Sequence, residues 1–395
     1  MAMSDMKLKL LHTPEGVRDI YGAELGRRNT IIGRIRERMR LYGYSEIQTP
    51  TFEFFDVFSR EIGTTPSREL YKFFDKEGNT LVLRPDFTPS VARCAAKYGE
   101  PGGAPMRFAY QGSTFVNASS LQGKLNESVQ MGVELIGEPS AEADAEVVAL
   151  LIESLLDTGL DRFQVSVGNA GYFRGICAEA GIGPEAENAL RDDISGKNYY
   201  AAEKLLLGLN ISDAMREKIL NVTLAAGSAD TLDEALAGAG NERSEAAIDG
   251  LKAFYSALKG YGLERFVSFD LSMLSKYDYY TGIIFRGYTY GVGEAVAAGG
   301  RYDRLISHFG QDMPAVGFMI QTEYLAEALR SQGIAVPLPP APVEISYTKE
   351  SYAEAVSRAR QLRQKGTAAV LLGPSGVEVP GTDKSAEPGS DGRKR

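Results

Sequence analysis

Cysteine and histidine are scarce: the 395 residues carry two of each, Cys94, Cys177, His12 and His308. The cysteines are far apart and neither histidine stands at ligand spacing from them, which argues against a structural zinc site or a disulfide framework. No metal and no cofactor is expected. No stretch approaches the roughly 18 consecutive apolar residues of a membrane span. The N-terminus also lacks the basic, apolar and small-residue order of a secretory signal, so the expectation is a cytoplasmic protein without membrane contact. Positive charge is short as well. Lys and Arg number 43 against 52 Asp and Glu, a net charge of -9, so there is no global basic field for nucleic acid, although a local patch can sit within an acidic whole.

What is present is a globular composition, long enough for one large core and smaller modules. Between Ala23 and Tyr42, Ile31, Ile35, Met39 and Tyr42 fall on one helical stripe, and Arg27, Arg28, Arg34, Arg36, Arg38 and Arg40 take the other faces. A solvated helix face is the simpler reading of those arginines. A strand through Ile47 into Pro50 follows, then one at Leu81 to Leu83. The latter ends in Arg84-Pro85-Asp86-Phe87-Thr88, where Pro89 suits a helix first turn that Gly99 closes. Polar side chains thus emerge at a strand end, where a rigid element aims them and a loop gives access.

Strands are expected at Arg107 to Tyr110 and Val129 to Ile136, with the polar stretch Val116 to Ser128 between them. A helix from Ala141 to Thr158 and a strand through Phe163, Val165 and Val167 come next. Alanine-rich helices fill residues 184–262, read as an insertion that splits a core of 1–183 and 263–335. Strands recur at Val267 to Leu271, Gly282 to Phe285 and Pro314 to Ile320, and a helix at Thr322 to Ser331. Consecutive strands without intervening helices favour an α+β architecture with a largely antiparallel sheet. Pro337, Pro339, Pro340 and Pro342 make a stiff linker to a small βαβ module at 336–375, and residues 376–395 read as a disordered tail.

The order of these pieces, and four strings at their joints, resemble the catalytic core of class II aminoacyl-tRNA synthetases, specifically the histidine enzyme, over roughly Thr13 to Leu329. The strings are Leu83-Arg84-Pro85-Asp86-Phe87-Thr88, Gln130-Met131-Gly132-Val133-Glu134, Asp278-Tyr279-Tyr280-Thr281-Gly282 and Ala298-Gly299-Gly300-Arg301-Tyr302-Asp303. The N-terminal helix and the strand to Pro50 are similar to the first motif, which in that class builds the dimer interface. The resemblance implies an amino acid pocket of Asp86, Thr88, Gln130, Glu134, Tyr279, Tyr280 and Tyr302. These residue types suit a zwitterion with an imidazole: an ammonium needs carboxylates, and a ring N–H needs an acceptor.

The nucleotide side departs from that pattern. Where the class places cations against ATP, this sequence has Val116 and, two residues on, Ala118 in place of a glutamate. Tyr324 stands for the arginine of the third motif, and Ser275, beside Lys276, for the arginine before the Tyr-Tyr string. Adenylation needs fixed positive charge at the phosphates, and Lys276 alone cannot reproduce several arginine forks. The C-terminal module is also shorter than an anticodon-binding domain. A divergent histidyl-tRNA synthetase is therefore disfavoured.

A kept amino acid pocket with lost ATP and anticodon sites resembles the family of ATP phosphoribosyltransferase regulatory subunits. That resemblance implies a non-catalytic subunit that activates a short-form catalytic subunit and relays feedback inhibition by L-histidine. It also implies dimers within a hetero-octamer and no tRNA partner. Closure of the Val116 to Ser128 stretch over the pocket is the expected route of the signal. His12 and His308 lie outside the pocket strings and read as surface or packing residues, Cys94 as a small core residue, and Gly299-Gly300 as a bulge or close strand approach.

Overall fold

The computed structural model describes residues 11–58, 65–100, 102–117, 125–274 and 279–373. They form two compact units. The first comprises residues 11–18 and 31–335, and the second residues 19–30 and 336–373.

In the first unit a nine-stranded sheet carries the fold. In chain order its strands are β1 (Ser45–Glu46), β5 (Met106–Phe115), β6 (Glu127–Ile136), β7 (Phe163–Asn169), β8 (Ala226–Gly227), β9 (Val267–Asp270), β10 (Ile283–Thr289), β11 (Ala297–Arg301) and β12 (Ala315–Gln321). Their order across the sheet is β1-β5-β6-β12-β11-β10-β7-β9-β8. Only β1 with β5 and β7 with β9 run parallel. The largely antiparallel α+β expectation holds.

Several strands in this sheet depart from the sequence reading, among them β11, β5 and β6. Ala297–Arg301 contains no β-branched residue and carries the Gly-Gly pair, yet it is a central strand; the pair makes no bulge but does permit a close strand approach, a Cβ on Gly299 lying 2.3 Å from the Gly317 carbonyl oxygen. Its glycines are required by neighbours on both faces: a Cβ on Gly299 would lie 2.6 Å from the Phe285 ring, and one on Gly300 2.6 Å from Tyr280. β5 and β6 also run on to Phe115 and back from Glu127, so the polar stretch between them is shorter than the pattern suggests; residues 118–124 lie outside the described residues.

One face of the sheet is apolar. Val133, Phe318 and Phe285, each 2% exposed or less, fall in one cross-strand row with Gly299. Against this face packs α3 (Ala141–Asp157), as shown by Leu155, which lies 3.8 Å from a Cβ built on Gly287 two residues along. Ser140 caps α3 by accepting from the Ala143 N–H, Glu142 and Asp144 occupy its first turn, and Gly159 leaves it at φ +95°. Between β7 and β9 come α4 (Ala170–Glu179), α5 (Pro184–Ser195), α6 (Tyr199–Leu207), α7 (Asp213–Asn221), α8 (Asp230–Ala239) and α9 (Glu242–Lys259).

A separate three-stranded sheet has the order β2 (Phe52–Phe54), β4 (Thr80–Leu83), β3 (Lys72–Phe74). α2 (Thr88–Tyr98) follows β4 with Pro89 in its first turn and Gly99 at its end. The N-terminal helix α1 (Gly22–Leu41) buries Ile31, Ile32, Ile35 and Met39. Its arginines are not simply solvated: Arg38 is held by Asp157 at 2.7 Å and Glu153 at 3.0 Å, and Arg34 donates to the Asp157 and Thr158 carbonyls. These bonds satisfy orphan carbonyls at the C-terminus of α3 and place cations at its negative end. The chain closes the first unit with α10 (Thr322–Ser331).

In the second unit β13 (Val343–Ser346) and β14 (Ala369–Leu372) pair in parallel, joined by α11 (Tyr352–Gln364). Ile345, Ala355 and Ala359 form its small core. Thr30 donates to the Pro337 carbonyl at 3.0 Å. Among the described residues no helix is long and apolar enough to cross a membrane, and no group of acidic, His and Cys side chains could hold a metal ion.

Candidate amino acid site

The polar face of the large sheet floors a cleft of about 1980 Å³. Gln130 and Glu134 rise from β6 four residues apart, so the period of two puts both on that face. Asp86 and Thr88 come from the start of α2, Tyr302 follows β11, and Tyr279 and Tyr280 precede β10. All seven side chains singled out in the sequence line this one cleft.

Glu134 is the centre. It is 1% exposed, accepts from the Tyr302 hydroxyl at 2.6 Å on one oxygen and from Thr88 Oγ1 at 2.7 Å on the other. Burial pushes its carboxyl up to about 8, against the pull of the Tyr302 and Thr88 hydrogen bonds, and the nearby Asp86 charge adds to the rise. Burial thus favours its neutral form relative to an exposed carboxyl. Only glycine could stand beside it: a Cβ on Gly317 would lie 1.7 Å from Glu134 Oε2.

Two further glycines seat the wall behind. Tyr110, from β5, stacks on Phe87 at 4.5 Å and 11°, and the Arg84 guanidinium lies 4.0 Å over the Phe87 ring. A Cβ on Gly132 would meet the Tyr110 hydroxyl at 2.3 Å, and one on Gly112 would meet Arg84 at 2.6 Å. Arg84 is itself a structural pin, donating to the carbonyls of Thr49, Pro50 and Ser113. Arg301 plays the same part on the other side, paired with Asp144 at 2.8 Å and Asp303 at 3.3 Å.

The remaining site residues divide. Asp86 accepts from the Thr88 N–H at 3.3 Å, an N-terminal helix contact, yet its carboxylate also faces the cleft. Gln130 is 6% exposed and its Oε1 has no partner among the described residues, which leaves an acceptor for a polar ligand. Tyr279 is 8% exposed within the core cluster of Phe87, Val91 and Tyr302, and packs on Tyr280 at 4.6 Å. Sequence reasoning did not single out Tyr110, nor Arg174, which donates to the Tyr280 carbonyl at 3.0 Å and lies 3.7 Å from Glu187 of α5. Glycines alternating with cleft residues along β6 and β12 were the available signal.

Of the residues that the resemblance matches to the class's ATP-binding positions, Val116 and Tyr324 line the cleft; Ala118, Ser275, Lys276 and Asp278 lie outside the described residues. His12 and His308 are exposed, Cys177 is buried, and Cys94 is only partly so.

A largely antiparallel sheet with a caged carboxylate on its open face and glycine seats around it has the architecture of a class II synthetase-like core. The histidyl-tRNA synthetase family model matches residues 16–325. The ATP phosphoribosyltransferase regulatory subunit of Acetivibrio thermocellus is 39% identical over 91% of this chain and 86% of that protein. The one from Ruminiclostridium cellulolyticum is 39% identical over 90% and 85%. A Bacillus halodurans structure described as an ATP phosphoribosyltransferase regulatory subunit/histidyl-tRNA synthetase superposes with a TM-score of 0.85 at 32% identity, covering 94% of this chain and 95% of that one. The chain belongs to the histidyl-tRNA synthetase family, within its group of ATP phosphoribosyltransferase regulatory subunits.

Proposed function

We propose that this chain is the non-catalytic regulatory subunit of an ATP phosphoribosyltransferase, acting in the cytoplasm at the first step of histidine biosynthesis, and that its cleft is the sensor for L-histidine. The observation that carries the reading is a complete polar cage around Glu134 in a cleft with Val116 and Tyr324 at positions where adenylation needs arginine. Histidine presents an ammonium to Asp86 and an imidazole to Glu134 and the tyrosine hydroxyls. Thr88, Gln130, Tyr280 and Tyr302 complete its hydrogen bonds, and Tyr279 backs them.

The partner is a short-form catalytic subunit, which this protein activates and through which histidine inhibits. Regulation requires histidine to favour one state of the complex over the other. The assembly is a hetero-octamer built on dimers of this chain. The small sheet supports self-association: Phe52 and Phe54 are 53% and 56% exposed and share an apolar face with Phe73, Leu81 and Leu83. Calorimetric titration tests the site. Histidine should bind the isolated protein, lose affinity at least tenfold in Glu134→Ala, and promote no exchange of pyrophosphate into ATP. Exchange activity would instead make the chain a working synthetase.

A further inference from the structure

The cleft extends well beyond Glu134. Strand register places Glu134, Gly317, Gly300 and Ile284 in one row across β6, β12, β11 and β10; the next row on the same face runs Gly132, Met319, Ala298 and Arg286. At about 4.8 Å per strand, three strand steps put Arg286 about 14 Å from the Glu134 column. One histidine cannot span that distance, yet Arg286 lines the same cleft. The volume of about 1980 Å³ also exceeds the roughly 300–1,000 Å³ typical of a small-molecule site.

A second cation enters from the helical segment. α5 ends with the Lys197 N–H bonded to the Ile194 carbonyl at 3.0 Å and the Asn198 N–H to the Asp193 carbonyl at 2.8 Å. That motif has a left-handed position which glycine ordinarily fills. Here it is Lys197, at φ +57°, the one non-glycine residue with positive φ among the described residues. Glycine would serve the backbone without steric cost, so a lysine is kept against local preference, and its side chain lines the cleft.

Neither Arg286 nor Lys197 has a carboxylate partner among the described residues. The acidic groups lining the cleft are engaged elsewhere. Glu134 is caged, Glu323 accepts from the Val129 N–H at 3.0 Å, Glu69 sits 3.5 Å from Arg68, Asp86 accepts from the Thr88 N–H, and Glu294 has its own contacts. In a chain of net charge -9, two cations lining one cleft, neither paired with a carboxylate among the described residues, are the recognition chemistry of an anion: a guanidinium fork with a mobile ammonium.

We propose that this end of the cleft is a second subsite, in which Arg286 and Lys197 take a compact oxyanion, a phosphoryl or carboxylate group. It does not depend on the histidine reading. The test is calorimetric titration of the full chain with inorganic pyrophosphate and, separately, with malonate, the tighter of the two identifying the anion class. Saturable binding is expected, weakened at least tenfold in both Arg286→Gln and Lys197→Gly, with a shallower salt dependence. Lys197→Gly relieves the left-handed strain, so loss of binding there is not a folding defect. No saturable binding of either anion, or binding unchanged in either variant, overturns the subsite. Histidine titrated into the same proteins is an independent readout: its failure to bind any form would count against the proposed function and leave the anion result standing.

Discussion

Glu134→Gln isolates the cost of the buried carboxyl. The group rises from its ordinary 4.5 to about 8 on folding, because the neutral form is the one that the buried environment tolerates. A carboxyl raised in the folded state contributes stability that is fully present below its unfolded value and is lost as pH climbs through the folded value. The window is therefore from about pH 4.5 to about 8. At about 1.36 kcal/mol per pH unit the full effect is roughly 4–5 kcal/mol, and structural relaxation brings the observable part to about 2–4 kcal/mol. Glutamine keeps the shape and the acceptor but cannot ionise. Urea unfolding of the ligand-free protein at pH 5.5, 7 and 8.5 should show the wild type losing stability relative to Glu134→Gln by that amount as pH rises. Asp144, raised to about 6 by burial against the pull of Arg301, titrates in both proteins and cancels in the difference. Parallel pH profiles for the two proteins would refute the reading of Glu134 as a carboxyl held neutral by burial.

Three more substitutions probe the scaffold. Gly317→Ala places a Cβ 1.7 Å from Glu134 Oε2 and 2.4 Å from the Val133 carbonyl; it should destabilise by about 1–3 kcal/mol and abolish histidine binding in calorimetry. Arg84→Met strips the donors from the Thr49, Pro50 and Ser113 carbonyls and the cation from the Phe87 ring. It should cost about 2–4 kcal/mol in urea unfolding. Arg174→Met frees the Tyr280 carbonyl, and histidine affinity should fall roughly five- to tenfold with little change in the unfolding midpoint.

The helices were legible wherever caps and periodicity agreed. Ser140 and Gly159 bound α3, Pro89 and Gly99 bound α2, and the α1 stripe is buried at Ile31, Ile35 and Met39. Strands that line the cleft were harder to read, because their open face carries glycine and polar residues where a core strand carries Val or Ile. β11 and the outer half of β5, with its Gln111-Gly112-Ser113-Thr114 sequence, are the examples. β2 and β3 were missed for another reason: three residues each are too few for alternation to register. Within the site, the polar residues were visible as strings, since each string is one local turn or strand end. Tyr110, Arg174 and the seat at Gly317 were not, because their roles exist only across strands. The arginines of α1 show the same limit, with Arg38 bound to residues more than a hundred positions away.

The most direct test of the account is the turnover of a short-form ATP phosphoribosyltransferase catalytic subunit, measured alone, with this protein added, and with histidine added to the mixture. The account predicts that the protein raises turnover and that histidine reverses the rise, with the reversal lost in Glu134→Ala. Turnover indifferent to the added protein, or inhibition by histidine that survives in Glu134→Ala, would contradict it.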